Sequence, residues 1–258
     1  MHKAEPYATR TIMSRIPWRD RIARAGQLAE NIPSAAEVMR FYQALLVQQE
    51  SWCRPGELSG ALIEDRFPHL LDFLGRNASP ELAAEARAIA AAGPPRWESL
   101  VHGCWAGGGS PDDEFFARAF LAPYAEAVCA EPAGPVPDTI TLCPCCGRRP
   151  VVSVLRQEYE GARRFLVCSL CSWEWKFRRI LCASCREENF DDLPVYSAAE
   201  FPHVRIETCR NCNCYLLSMD MTRDAGAVPV VDDIAALPLH IWARGQGYNR
   251  IQANLLGM

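Results

Sequence analysis

Hydrophobic residues in the first half of the chain recur at intervals of three and four, the spacing of amphipathic helices. One such run covers residues 38–46, and its apolar face carries Val38, Phe41, Tyr42, Leu45 and Leu46. Ser34 and Glu37 have the spacing of a capping box, which predicts that the helix begins there. We interpret these stripes as the core of a helical domain rather than as a cofactor site.

Other helices are marked by their boundary residues. Capping serines, early prolines and an acid predict two helix starts, at Ser79-Pro80 and at Ser110, Pro111 and Asp113. A glycine and two prolines at 93–95 and three glycines at 107–109 separate these helices. With a weaker pattern over residues 16–29, the chain predicts five or six helices in a bundle-like domain.

A proline-rich segment separates this helical region from a second half with a different pattern. Three prolines and a glycine fall within residues 131–137, which cannot lie inside a helix and therefore predict a linker. Beyond the linker, short β-branched and aromatic runs predict strands.

Cysteine is the unusual component of an otherwise ordinary composition, with 13 among 258 residues. The formal net charge of −4 gives no basic excess of the kind that drives bulk nucleic-acid binding. No apolar run reaches the roughly 18 residues of a membrane span, and the arginine-rich N-terminus lacks the apolar core of a secretory signal. We therefore expect a cytoplasmic protein without a membrane span, in which clustered thiols bind metal or react.

Ten of the cysteines lie within residues 141–214, and eight of them form four Cys-x-x-Cys units. Such a unit turns two thiolates toward one cation, and two units complete a tetrahedral set of four sulfurs. The four units therefore predict two metal ions. The predicted ligands are Cys143, Cys146, Cys168, Cys171, Cys182, Cys185, Cys209 and Cys212.

The strand pattern predicts which units pair. Runs at 151–155 and 164–167 predict a hairpin that joins the first unit to the second, and runs at 195–197 and 204–207 predict a looser hairpin for the third and fourth. A cross-brace, pairing the first unit with the third, stays open but uses neither hairpin. Cys145 and Cys214 are surplus, and either could replace a neighbour as ligand, although the two-residue spacing favours the eight named above.

Together these patterns predict an α+β fold, in which a bundle-like helical domain precedes two rubredoxin-like or zinc-ribbon metal modules and a C-terminal helix. The predicted boundaries are 1–130 for the helical domain, 131–140 for the linker, 141–181 for the first ribbon, and 182–258 for the second ribbon with the C-terminal helix and tail.

The residues leave the identity of the ions open, because four thiolates suit zinc and rubredoxin-type iron alike. Between residues 143 and 186, nine Lys and Arg stand against three acids, a balance that would offset thiolate charge. The same stretch could instead face nucleic acid. The period-two aromatic face of residues 172–181 disfavours that function, because such a face is typical of a core; its members are Trp173, Trp175, Phe177 and Leu181.

Catalytic motifs are missing from the sequence, which has no phosphate loop, dinucleotide fingerprint or nucleophile elbow. Asp232 and Asp233 are expected to begin a C-terminal helix over 234–243, where acids favour the helix dipole. We therefore predict no catalytic residues.

Several stretches carry a family resemblance. They are LCPCCG at 142–147, CSLCSWEW at 168–175, ETCRNCNCYL at 207–216, DDIA at 232–235 and GYNRIQANLLG at 247–257. Over 142–258, and more weakly over 22–49, the chain resembles the formate dehydrogenase accessory proteins of the FdhE family. The resemblance implies a cytoplasmic accessory protein rather than an enzyme, with iron in two rubredoxin-like modules. It also implies that the catalytic subunit of formate dehydrogenase is the partner.

Two other functions stay open at this point. One is a rubredoxin-like redox protein that acts on that partner through iron or through Cys145. The other is a zinc-ribbon protein that binds nucleic acid.

Overall fold

The computed structural model describes residues 16–52, 56–108, 114–129, 132, 134–158 and 161–258. Six helices lie in the described part of the N-terminal half: Trp18–Asn31 (α1), Ala36–Trp52 (α2), Gly60–Asn77 (α3), Pro80–Ala92 (α4), Pro94–Trp105 (α5) and Glu114–Val128 (α6). The expected five or six helices are confirmed. The predicted helix start at Ser110, Pro111 and Asp113 lies outside the described residues, as do residues 1–15 and parts of the linker.

The helix boundaries follow local chemistry in one case and not in another. Ser79 caps α4 by accepting a hydrogen bond from the Leu82 N–H, with Pro80 at the first helical position, as predicted. The capping box at Ser34 is wrong, because residues Pro33–Ala35 form a 3-10 turn that runs directly into α2. None of the described helices is long and apolar enough to cross a membrane.

The described residues of the second half contain one seven-stranded sheet. Its strands are Pro150–Glu158 (β1), Gly161–Cys168 (β2), Glu174–Lys176 (β3), Val195–Ser197 (β4), Val204–Cys209 (β5), Cys214–Asp220 (β6) and Asn249–Arg250 (β7). The order is β3-β2-β1-β6-β5-β4, with β7 beside β6. Both predicted hairpins are present, β1 with β2 and β4 with β5.

A parallel pairing of β1 with β6 joins the two ribbons, which the sequence did not predict. Val152 pairs with Leu217, and Leu155 pairs with Asp220. The ribbons therefore share one sheet instead of standing apart. The predicted domain boundaries remain a proposal about how the chain is divided.

The aromatic segment behind the second cysteine unit is buried, but only three of its residues form a strand. Trp173, Trp175 and Phe177 are all in the core, as the alternating pattern predicts. Glu174 falls on the opposite face of this alternation, and it is buried too. Arg156 accounts for this, since it donates two hydrogen bonds to the Glu174 carboxylate at 2.6 and 2.9 Å.

The C-terminal helix is broken into two, Pro229–Ala235 (α7) and Leu237–Gly245 (α8). The break lies at Ala236, and Pro238 stands in the first turn of α8, where a missing N–H costs no helical hydrogen bond. Asp232 and Asp233 do not begin the predicted helix over 234–243. Both lie within α7 and are almost completely buried.

Candidate metal centres

The first candidate centre forms where the loop before β1 meets the turn after β2. Its four sulfur atoms belong to Cys143, Cys146, Cys168 and Cys171 and all lie within 4.8 Å of one another. The Sγ–Sγ distances are 3.6 Å for Cys143–Cys171, 3.3 Å for Cys146–Cys168 and 3.5 Å for Cys146–Cys171. The β1–β2 hairpin brings these two turns together, because Pro150 and Cys168 are opposite each other at its open end.

The second centre repeats this arrangement on the other half of the sheet. Cys182, Cys185, Cys209 and Cys212 form the group, with Sγ–Sγ distances of 3.7 Å for Cys182–Cys212 and 3.7 Å for Cys185–Cys209. The first Cys-x-x-Cys unit thus pairs with the second, and the third pairs with the fourth, as predicted. The cross-brace alternative is excluded.

The four turns share a backbone conformation at the residue after the second cysteine. Each of these residues has a positive φ: 72° at Gly147, 53° at Ser172, 65° at Arg186 and 53° at Asn213. Only the first is a glycine, so three side chains occupy a region that costs roughly 1–2 kcal/mol for an L-residue. Backbone strain of this kind persists where the surroundings impose it, and here it closes the turn around the two sulfurs.

Backbone N–H groups in these turns point at sulfur. Leu170 donates to Cys168 Sγ and Ser184 donates to Cys182 Sγ, both at 3.4 Å. These bonds favour the thiolate form, which is the form that binds metal.

The spacing of the sulfurs fits a single tetrahedral ion at each centre. A Zn–S bond of about 2.3 Å places tetrahedral sulfurs about 3.8 Å apart. The observed separations of 3.3–3.7 Å are close to that value. Four sulfurs and no other ligand type suit zinc or iron equally.

Burial and hydrogen bonds shift the pKa values of the thiols in both groups. Hydrogen bonds from neighbouring thiols, first that of Cys129 and then that of Cys143, hold the pKa of Cys146 well below its usual value. Burial raises the pKa of Cys182 to about 11. For Cys185, burial acts upward, but the Glu187 N–H and the neighbouring thiols outweigh it and lower the pKa.

The surplus cysteines lie outside the two groups of four. Cys145 and Cys214 are half-buried, and Cys214 is opposite Cys209 in the β5–β6 ladder. The structure therefore brings together the eight residues that the spacing favoured.

Cys129 was missed by sequence reasoning. Its partly buried side chain packs against the core that includes Cys143, Cys168 and Cys171, and hydrogen bonding with Cys146 raises the pKa of its thiol to about 11. It stands alone in the sequence directly after α6, so no Cys-x-x-Cys spacing marks it. Only the packing of α6 against the first centre reveals it.

Much of the positive charge around the first centre is already paired. Five of the nine basic side chains between residues 143 and 186 form ion pairs with carboxylates: Arg156, Arg163, Arg164, Lys176 and Arg178. A surface that binds nucleic acid needs cations that are free to meet phosphates. This pairing disfavours the nucleic-acid alternative.

A third group of potential ligands is filled by an arginine. His203, Asp224 and Asp232 lie close together, but the Arg24 guanidinium contacts both carboxylates at 2.8 and 2.6 Å. The guanidinium of Arg24 therefore supplies the positive charge between these two carboxylates, where a metal ion would otherwise bind.

The acidic pair in α7 connects the halves of the chain. Asp233 accepts two hydrogen bonds from Arg250, at 2.6 and 2.7 Å, and one from Asn254 at 2.9 Å. Arg118 of α6 donates to the carbonyls of Ala253 and Asn254. The DDIA stretch and the tail are thus structural elements that hold the sheet against the helices.

Fold and site together define a class: a helical domain joined to two four-cysteine metal modules of the rubredoxin or zinc-ribbon type. Residues 142–179 match the FdhE central domain, and residues 180–256 match the FdhE C-terminal domain. These matches agree with the sequence resemblance to the FdhE family over residues 142–258.

Two curated relatives, both described as protein FdhE homologs, show the extent of the sequence similarity. The Aquifex aeolicus protein is 38% identical over 117 residues, which cover 45% of this chain and 41% of that protein. The Pseudomonas putida protein is 33% identical over 151 residues, which cover 55% and 47%. The matched segments span less than half the length of these relatives.

A solved structure extends the likeness to the helices. The crystal structure of the FdhE protein from Pseudomonas aeruginosa matches with a TM-score of 0.72 at 26% identity. The match covers 94% of this chain and 96% of that chain. The helical half therefore belongs to the shared architecture along with the metal modules.

Proposed function

We propose that this protein is a cytoplasmic accessory factor for formate dehydrogenase that binds the catalytic subunit of that enzyme. The observation that carries the proposal is a pair of compact four-sulfur groups within a fold shared with an FdhE protein over nearly the whole chain. The cytoplasm fits such groups because thiols stay reduced there.

We propose further that each group holds one ion, iron or zinc. The ligands would be Cys143, Cys146, Cys168 and Cys171 for the first ion and Cys182, Cys185, Cys209 and Cys212 for the second. Metal binding supplies folding free energy to small modules. Here it would hold short strands and strained turns in place, so that the protein presents a fixed surface to its partner.

An apolar patch beside the second centre is the surface that we assign to the catalytic subunit. Ile180, Phe190 and Val195 have exposed side chains and line one cavity of about 240 Å³, next to Cys182 and Cys209. Phe190 is the most exposed of them at 70%. Exposed apolar residues that surround a cavity mark a binding surface, and the second ion would fix the segment that carries two of them.

Co-purification with the catalytic subunit tests the role of the metal. We expect the wild-type protein to capture the subunit and Cys168→Ser to lose both the first ion and the capture. Cys145→Ser is the matched control, a cysteine change in the same module outside the sulfur group, and it should behave as wild type. Normal capture by metal-free Cys168→Ser would show that the modules do not prepare the binding surface.

A surface variant tests the patch without disturbing the fold. Phe190→Asp should weaken capture at least tenfold, because a charge replaces the most exposed member of the patch. Val47→Asp changes another exposed apolar residue, on α2, and should leave capture unchanged. Equal capture by both variants would assign the partner to another surface.

A redox role has one observation in its favour, the exposure of Cys185 at the edge of the second group. An exposed ligand would let electrons reach an iron ion. A reversible iron absorption band in protein purified at native expression levels would support this role. A colourless, zinc-loaded protein would count against it.

A further inference from the structure

Arg164 is a buried arginine of the first ribbon whose side chain reaches into the second. It lies on β2, opposite Leu155 of β1, and is 5% exposed. Its Nη1 donates to the Leu181 carbonyl at 2.8 Å and to the Arg178 carbonyl at 3.1 Å. Its Nη2 donates to the Glu207 carboxylate at 2.5 Å. One guanidinium thus holds two segments that are distant from each other in the chain.

Both segments lead into ligands of the second sulfur group. Leu181 comes directly before Cys182, and Glu207 stands two residues before Cys209 on β5. Cys182 and Cys209 line the same cavity as Arg164. Arg164 therefore connects the two turns that supply the second group with sulfur.

The orientation of this guanidinium is fixed by its surroundings. Its central carbon lies 5.1 Å from the centre of the Phe177 ring, and the Phe177 N–H bonds to the Arg164 carbonyl at 3.0 Å. A planar group with both terminal nitrogens bonded has little freedom to turn. The strand that carries it ends at Cys168, which belongs to the first sulfur group.

We propose that Arg164 is a positioning residue for the second metal site and holds the turns at Cys182 and Cys209 at the separation that one ion needs. The inference rests on the metal sites proposed above, and it makes the second site dependent on the first ribbon. Residues that orient metal ligands change metal affinity by about 10- to 100-fold. Loss of the Arg164 side chain should weaken the second site by that factor, and it should spare the first site because its hydrogen bonds go to the second.

The zinc affinity of both sites, measured in one molecule, tests the proposal. The N–H groups of Leu170 and Ser184 donate to Cys168 Sγ and Cys182 Sγ, so their amide NMR signals monitor the first and the second site separately. The zinc-loaded full chain is titrated with a chelator of known affinity. In Arg164→Met, the Ser184 signal should need about 10- to 100-fold more free zinc to keep its bound position, whereas the Leu170 signal should behave as in the wild type.

Two further variants separate positioning from general packing. Arg164→Lys keeps the charge but offers one nitrogen in place of two, so it should recover part of the lost affinity. Arg156→Met is the matched control, because it removes an arginine that pairs with Glu174 inside the first ribbon. It should leave the zinc affinity of the second site unchanged.

The outcomes distinguish this proposal from the metal sites on which it rests. Equal weakening of both sites in Arg164→Met, or wild-type affinity at the second site, overturns the positioning role and leaves the metal sites standing. A wild-type protein that binds no zinc overturns both. If Arg164→Met does not fold, Arg164→Lys takes its place: a smaller loss confined to the second site supports the role, and wild-type affinity there overturns it.

Discussion

Arg24 of α1 donates two hydrogen bonds to the carboxylate of Asp232 in α7, at 3.0 and 2.6 Å. The two side chains are only 10% and 1% exposed. His203 approaches the same carboxylate at 2.9 Å. Segments 208 residues apart are thus joined by a buried ion pair, which fixes α7 against α1.

Breaking this pair should strongly destabilise the protein. Arg24→Ala leaves the buried Asp232 carboxylate without its main cation, and such a loss costs about 3–5 kcal/mol. The free energy of unfolding in urea is the measurement. Arg19→Ala, at an exposed arginine of the same helix, should change it by less than about 0.5 kcal/mol. A loss below about 1 kcal/mol in Arg24→Ala would mean that the pair does not hold the halves together.

Acid should weaken the fold through His240. Burial lowers the pKa of this histidine, which accepts a hydrogen bond from the Tyr215 hydroxyl and donates one to the Asp233 carbonyl. Because its folded pKa is depressed, its stabilising effect is complete above the unfolded value of 6.5 and is lost as pH falls below it.

The measurement is the free energy of unfolding at saturating zinc between pH 7.5 and 5. His240→Gln can make both hydrogen bonds without titrating, so its stability should fall less than that of the wild type. Metal loss in acid affects both proteins and cancels in the comparison. His69→Gln, at an exposed histidine of α3, is the control and should follow the wild type. If the free energy of unfolding fell equally with pH in the wild type and in His240→Gln, His240 would not cause the loss of stability in acid.

The left-handed residues of the cysteine turns predict a pair of opposite effects. Arg186→Gly should raise the midpoint of thermal unfolding, because glycine removes about 1 kcal/mol of strain at a φ of 65°. Gly147→Ala should lower the midpoint by introducing the same strain at a φ of 72°. Shifts of the same sign in both variants would show that the turn conformation does not set their stability.

The ligand register can be tested at the surplus cysteines. Cys145→Ser and Cys214→Ser should each retain two ions per chain, because both thiols lie outside the sulfur groups. Cys143→Ser should retain one. If Cys145→Ser loses an ion and Cys143→Ser does not, the first turn binds metal through Cys145.

The sequence was most informative where chemistry is local. The two-residue spacing of the cysteine units and the strand runs between them were enough to predict both hairpins and both sulfur groups. Ser79 and Pro80 likewise define the start of α4 without help from tertiary contacts.

Features that depend on distant partners could not be predicted in this way. The β1–β6 pairing joins segments that share no local signal, and Asp232 is buried because Arg24 reaches it from another part of the chain. Cys129 meets the first sulfur group only through the packing of α6. Ser34 failed as a cap because Pro33 begins a 3-10 turn one residue earlier.

Metal analysis of three proteins decides whether the eight sulfurs hold two ions. Iron plus zinc is measured per chain in the wild type, Cys168→Ser and Cys182→Ser, all purified from the native host under reducing conditions. We expect two ions in the wild type and one in each variant. A wild-type protein that is fully folded without metal, or with its sulfurs joined as disulfides, would contradict this expectation.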